Sequence, residues 1–565
     1  MILKTEINSI HNMKIRTLRQ SVLSCVICFW IIQNMKAQSP QLIKDINPGS
    51  SHSTPLYLTA YQNGVFFIAD DGIHGQEPWI SNGTEAGTYM LKDIYPGNNE
   101  PFYARNPLVV DNLIFFIGND GINGGELWVS DGTTDGTKML RDLYPGITSS
   151  MLDLSYMVEM GGMVYFAPRE GGGGIPGTRG RELWKTDGTT EGTIIVKDIM
   201  EGTNSSLVNH LVATDDRVYF AAQNDEFGNE LWVSDGTEEG TFMLSNINEG
   251  SAFSNPENLT VAGMYIYFFA DDGIHGRELW RTDGTGDGTI MVKDIRPGDG
   301  DSNSDYILGT GSGLVFFNAD DGVNGDELWV SSGPENTVLI DINPGAGDSG
   351  PRFFTQAGTK VLFSATENEF GRELWMTDGT VAGTKLAANI SEGNSSSFPD
   401  NFIASANVVY LSSNQGIWRS DGTESGTYGV TNRDQGVDNI LEIAISNDII
   451  FFSGNGFDVE GEVLGKELFK ITDVTSGSGS PDQGKQNTDI SIYPNPNSGN
   501  IKINMPFEYT DQYLPFTVYN YAGEQVLSGV LATDNLDLSM LSTGIYVVKI
   551  DIDQEAFREK IAVVK

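Results

Sequence analysis

Three loops of the chain gather oxygen ligands at one spacing: Asp70, Asp71 and Glu77; Asp271, Asp272 and Glu278; Asp320, Asp321 and Glu327. Each runs Asp-Asp-Gly-x-x-Gly-x-Glu, and carboxylates crowded on a tight turn suit calcium, which takes its ligands from side-chain and backbone oxygens. The spacing departs from that of the EF-hand loop. Two readings stand, a turn built by Asp and Gly or a weak calcium site, and apart from calcium no cofactor is expected. His74 and His275 occupy a loop position that Asn123 and Asn324 fill elsewhere. An amide cannot do the proton work of imidazole, so these histidines are read as turn residues. His52 and His210 have no recognisable partner in the sequence, and serine-hydrolase elbows, phosphate-cradling glycine loops and HExxH helices are not found. No catalytic residue is assigned.

The acidic loops belong to a repeat. GRELWRTDGTGDGTIMVKDIRPG at 276–298 returns as GGELWVSDGTTDGTKMLRDLYPG at 124–146 and GRELWKTDGTTEGTIIVKDIMEG at 180–202. Its tryptophans are Trp79, Trp128, Trp184, Trp232, Trp280, Trp329, Trp375 and Trp418, and Phe469 stands where a ninth is due. A period near 50 residues belongs to propeller blades or similar arrays. Catalysis needs a residue once in a ring, whereas Glu126, Glu182, Glu230, Glu278, Glu327 and Glu373 precede Leu-Trp copy after copy. That recurrence marks them as structural.

Each unit reads as four short strands. In the fifth these are 257–262, 264–270, 278–282 and 290–295, joined by Asp-Gly turns that tolerate positive φ. The second strand, MYIYFFA, is aromatic and β-branched, as a strand buried between neighbouring blades should be. The segment 42–49 is a fourth strand without a blade, and the ninth unit, ending at Asp473, lacks its own. Pairing the two would close a ring and leave no exposed edge. The expected fold is all-β: a large β-propeller of eight or nine four-stranded blades over residues 40–473, plus a small C-terminal β-sandwich. The chain resembles the bacterial ELWxxDGT-repeat proteins over that span, which implies architecture and an extracellular setting but no single activity. Asn82 in the first copy, Ser331-Ser332-Gly333-Pro334 in the sixth and Gly416-Ile417-Trp418 in the eighth depart from the pattern. The third unit carries an insertion, 168–181, with three arginines.

The ends differ from the array. Lys14, Arg16 and Arg19 precede the apolar run 21–32, and a small residue, Ala37, stands before Gln38. That is the pattern of a secretory signal peptide over 1–37 with cleavage near Ala37 and Gln38; the run falls short of the roughly 20 apolar residues a spanning helix needs. Both cysteines, Cys25 and Cys28, lie within it, so the mature chain would have no thiol chemistry and no disulfide. A Gly/Ser-type linker, 474–488, leads into a domain at 489–565. There YPNPNSGNIKI (493–503), VYNYAGEQVLSG (518–529) and LSTGIYVVKI (541–550) resemble the type A C-terminal sorting domain of type IX secretion substrates. The sorting-motif residues are Tyr493, Pro494, Asn495, Pro496, Gly499, Gly544 and Tyr546. The resemblance implies passage through the type IX machinery to the outer surface or surroundings of a gram-negative bacterium.

The net charge is −42, and the leader holds Lys4, Lys14, Arg16, Arg19 and Lys36 against Glu6, so its loss takes the chain to about −46. Such a polyanion repels nucleic acid and anionic lipid. No transmembrane segment is expected in the mature chain. The expected function is binding or adhesion, without catalysis, to an extracellular glycan or protein. The alternative is a glycan-active hydrolase or lyase with a unique site in the channel, which an asymmetric lining of carboxylates and arginines would favour.

Overall fold

The computed structural model describes residues 39–97, 107–150, 157–170, 179–431, 437–457, 463–472, 491–493, 500–504, 514–520, 525–531, 535–538, 540–541, 544–552 and 555–563. The leader with Ala37 and Gln38, the linker, and Pro494, Asn495, Pro496 and Gly499 lie outside these residues, as does the middle of the third-unit insertion. Two compact units divide between residues 475 and 476.

Among the described residues the first unit holds nine antiparallel sheets of four strands each. In blade five the strands are Glu257–Ala262, Tyr265–Asp271, Arg277–Thr282 and Ile290–Lys293, hydrogen-bonded in chain order, within a few residues of expectation. The second strand is the most apolar because both its faces are covered: Tyr267, Phe268, Phe269 and Ala270 have no exposed surface. The repeat Trp stacks on the Phe opposite it in that strand, as in Phe67–Trp79, Phe220–Trp232 and Phe317–Trp329 at 6.4–6.5 Å between ring centroids. Phe452–Phe469 preserves the contact at 5.7 Å in the copy that lost Trp. Aromatic pairs in this geometry add to the large apolar area each ring buries.

A basic residue from one blade reaches the next. Lys293 lies over the Trp329 ring and Arg141 over Trp184, at 5.9 and 5.6 Å from the centroids. Lys92 and Lys197 donate to the Thr137 and Thr241 carbonyls in the following blade, both at 2.6 Å. These carbonyls close the Asp-Gly-Thr turns, where the Asp131 carboxylate accepts from the Thr133 amide and hydroxyl. Gly136 is needed there because an added Cβ would run into that carboxylate.

Ring closure is direct. Gln41–Lys44 pairs antiparallel with Val463–Thr472 as the fourth strand of blade nine, Leu42 opposite Phe469. Lys44 then treats blade one as Lys92 treats blade three's predecessor: it donates to the Thr88 carbonyl at 2.8 Å and lies 5.7 Å from the Trp79 ring centroid. Ile43 and Ile46 join Phe67, Trp79 and Phe451 in one apolar cluster across the seam. The ring therefore has nine blades, and its last is made from both ends of the array.

The second unit contains a sheet of Ser491–Tyr493, Asn500–Asn504 and Asn535–Asp537, and another of Gln525–Leu531, Leu514–Asn520, Gly544–Ile552 and Glu555–Val563. Tyr546, Val548 and Ile550 alternate inward along one strand with Phe516 and Val518 beside them, the period-2 burial of a sheet with one covered face.

Deleting residues 41–46 removes both the last strand and its seam contacts. The truncated protein is expected to melt at lower temperature and to self-associate through the exposed edge of 463–472; differential scanning calorimetry and size-exclusion chromatography check this.

Candidate functional site

The recurrent glutamates are interior. Glu77, Glu126, Glu182, Glu230, Glu278, Glu327, Glu373 and Glu467 each have no exposed surface. From the start of a blade's third strand the carboxylate reaches the connector that follows the fourth. Glu230 accepts from the Ile247 amide at 2.7 Å and from the Ser254 amide and hydroxyl at 3.2 and 2.6 Å. Glu373 does the same with Ile390 and Ser397, Glu327 with Ile342 and Ser349. In blade nine the connector is the N-terminal segment, and Glu467 accepts from Ile46, 421 residues away, and from the Ser53 amide and hydroxyl. A buried carboxylate is tolerable only when its oxygens are occupied in this way.

The aspartates of the candidate calcium loops sit apart from these glutamates. Asp70 accepts from the Gly72 amide, and Asp71 from Ile73 and His74. Asp271 and Asp272 repeat this with Gly273, Ile274 and His275, and Asp320 and Asp321 with Gly322, Val323 and Asn324. His74 and His275 bond the second Asp oxygen at 2.7 Å through Nδ1, and Asn123 and Asn324 donate to it at the same distance through Nδ2. Imidazole and amide thus do the same work in the turn. Glu77, Glu278 and Glu327 point instead into the connectors. Among the described residues no group of three or more His, Cys, Asp or Glu is placed to hold a metal ion. Of the sorting motif, Tyr493 and Gly544 lie in strands and Tyr546 is buried. Arg179 of the third-unit insertion pairs with Glu170 and Asp198, both at 3.2 Å.

What varies between blades is the innermost strand. The first strands of blades three to nine lie side by side in turn, and that of blade nine abuts that of blade one. Six of them carry a bulge with one residue in the left-handed region: Tyr57, His210, Asn258, Phe353, Asn401 and Asn439, at φ of 50–60°. For an aromatic such as Phe353 that conformation is strained, and strain of this kind concentrates where a site is held in shape. Tyr306, Phe353 and Phe402 form a half-buried aromatic ladder across blades six to eight, with centroids 5.6 and 6.2 Å apart. A cleft of about 290 Å³ flanks it, lined by His210, Asn258, Asp305 and Tyr306 among others. Burial pushes the His210 imidazole down. A second cleft, of about 370 Å³, lies between blades eight and nine. The periodicity of the repeat hides these residues because they are where it fails.

Blades six and seven hold a polar cluster. Asn318 donates to both Asp326 oxygens and accepts from the Asp305 and Tyr306 amides. Burial, with Asp348, Asp305 and Asp320 nearby, pushes Asp326 up to about 6. Arg372 donates to the Gly350 and Ser349 carbonyls, and Arg352 lies over the Phe353 ring.

Comparison with known proteins bears on the C-terminal unit. Residues 491–564 match the secretion system C-terminal sorting domain. The chain is thus a secreted or outer-surface β-propeller of a gram-negative bacterium, delivered by type IX secretion. Among solved structures it is similar to PorZ, an essential surface component of the type IX secretion system of Porphyromonas gingivalis, at 12% identity, covering 91% of this chain and 75% of that one, with a TM-score of 0.32. It is also similar to a puromycin hydrolase (14% identity, 67% and 61% covered, TM-score 0.35) and to a Mycobacterium tuberculosis puromycin-hydrolysing peptidase (9%, 62% and 58%, 0.36). It spans about 60% of the length of these two hydrolases. No curated protein matches the chain, and among the described residues no helix is long and apolar enough to cross a membrane.

Burial lifts Glu77, Glu126, Glu182, Glu278, Glu327 and Glu467 from an ordinary 4.5 to about 7, against the hydrogen bonds that pull each back. Between those values the folded chain keeps protons that the unfolded chain releases, so stability falls as pH rises from about 4.5 to 7 and levels off above. The urea midpoint is expected to be higher at pH 5 than at pH 8. The difference should persist in 1 M salt, which screens surface repulsion but not buried groups.

Proposed function

We propose that this chain is an ELWxxDGT-repeat protein that works outside the cell as a non-catalytic binding or adhesion propeller, holding an extracellular glycan or protein against the inner strands of blades four to nine. The division of labour between repeated and unrepeated residues carries this reading. The repeated glutamate, present in every blade but the eighth, is committed to blade joining, while aromatic, amide and carboxylate side chains that differ from copy to copy meet on the inner strands. Half-buried aromatics beside hydrogen-bonding groups are what a ligand site presents.

One observation favours the alternative of a glycan-active hydrolase or lyase: Asp326 stands with Arg352 and Arg372 in one cluster, and burial pushes its carboxyl up to about 6. Against it, Asp326 is occupied by Asn318, and Arg372 by backbone carbonyls. Glycan turnover that disappears in Asp326→Asn would decide for the enzyme.

The test uses protein recovered from the cell surface or medium. Mass spectrometry should find its N-terminus near Gln38 and the region after Thr488 largely removed. On glycan and protein arrays, run with and without calcium because the rim Asp pairs are oxygen-rich turns, the wild type is expected to bind a defined ligand set. Tyr306→Ala with Phe353→Ala should weaken it at least tenfold. Binding unchanged by that pair would contradict a site on the inner strands.

A further inference from the structure

Blade eight departs from the others at the point where they are joined. In blade five, Asp271 pairs with Arg277 across a five-residue acidic loop; in blade eight, Ser413 pairs with Gly416 across only Asn414 and Gln415. Gly416 stands two residues before Trp418, where other copies place the buried glutamate. It adopts φ 119°, and a Cβ there would lie 2.7 Å from the Thr431 hydroxyl. The Ile417 amide donates to that hydroxyl at 2.9 Å, a local substitute for the carboxylate. Both the rim loop and the clamp are therefore missing from this blade, and the larger of the two inner clefts opens there, lined in part by Ser413, Asn414 and Gly416.

From these features the geometry points to the cleft between blades eight and nine as a binding pocket for a neutral sugar unit of a glycan. The inference rests on the binding reading above and names its ligand. Phe398 is 57% exposed at one side of the cleft and offers a ring face. Asp400, Asn401, Asn414, Asp438 and Asn439 bring amide donors and carboxylate acceptors together, a mixture suited to hydroxyl groups, which donate and accept at once. Their positions are fixed. Asn401 donates to Ser412 at 2.8 Å, Asn414 to the Ser396 carbonyl at 2.8 Å, and Asn455 to Asp438 at 3.0 Å. Among the described residues the lining has no basic side chain, and the chain carries −42 overall, which disfavours phosphate, sulfate or uronate groups. At about 370 Å³ the space is at the lower end for small-molecule sites, suited to one or two sugar rings.

Calorimetric titration of the secreted protein with cello-, xylo-, manno- and malto-hexaose tests this. The wild type should bind at least one of them. Asp400→Asn with Asp438→Asn, which preserves shape, and Asn414→Trp, which fills the cleft from an exposed turn, should each lower affinity at least tenfold with urea midpoints unchanged. Glu239→Ala, on an exposed turn of blade four away from both clefts, should leave that affinity within twofold. If the hexaose binds and Tyr306→Ala abolishes it while both cleft variants keep it, the pocket is elsewhere and the binding reading survives. Binding lost in EDTA overturns direct recognition of hydroxyls. If no hexaose binds but the arrays return an acidic glycan or a protein, the ligand class is wrong; if the arrays return nothing, the reading beneath it falls as well.

Discussion

A glutamate that loses all its exposure must find donors for its oxygens or give up its charge, and in eight of the nine blades the next connector supplies those donors. The carboxylate begins the third strand of its own blade, and its donors lie on the segment leading to the following one. Folding of one blade is therefore incomplete until the chain has turned toward its neighbour. The stacked Trp–Phe pairs supply the apolar burial within blades, and the basic residues over tryptophan rings tie adjacent blades. The glutamate fixes the direction of the turn between them.

The same contact explains how a repeat with no disulfide closes on itself. The connector after blade nine is supplied by residues 46–53, and Glu467 meets it with the bonds that Glu230 and Glu373 make to their own connectors. On the inner side Glu442 of blade nine accepts from the Leu58 amide of blade one at 2.8 Å. Closure thus uses no special device; the ends of the array meet through the interaction that joins the other blades, blade eight excepted. Where the interaction is absent, in blade eight, the connector is held by Thr431 and a cleft opens.

Much of this was legible in the sequence. The tryptophan period put the number of units at eight or nine, Asp-Gly pairs gave the turns, and the orphan strand at 42–46 gave the closure, because each depends on local residue type. The C-terminal domain was legible through three segments in order. The glutamates were legible as structural, but not their partners. A signal was present: a serine falls seven residues after the connector Ile or Leu at 46, 143, 199, 247, 295, 342 and 390, and those serines are the donors or their neighbours. Blade one breaks the rule with Pro101, and there Glu77 takes the Tyr95 amide instead. The inner-strand bulges were not legible, because Tyr57, His210, Phe353 and Asn439 share a backbone conformation set by the ring and no common residue type. The two clefts depend on which first strands meet around the channel, which no local pattern encodes.

The most direct measurement compares the urea midpoints of Glu467→Ala and Glu278→Ala. Each substitution leaves connector amides buried without an acceptor, at a cost of roughly 1–3 kcal/mol per group. If the contact that joins blade five to its neighbour also closes the ring, the two variants should lose stability to the same extent, although the donors to Glu467 are more than 400 residues away in the chain. A loss in Glu278→Ala with none in Glu467→Ala would mean that the ring is not closed by this interaction.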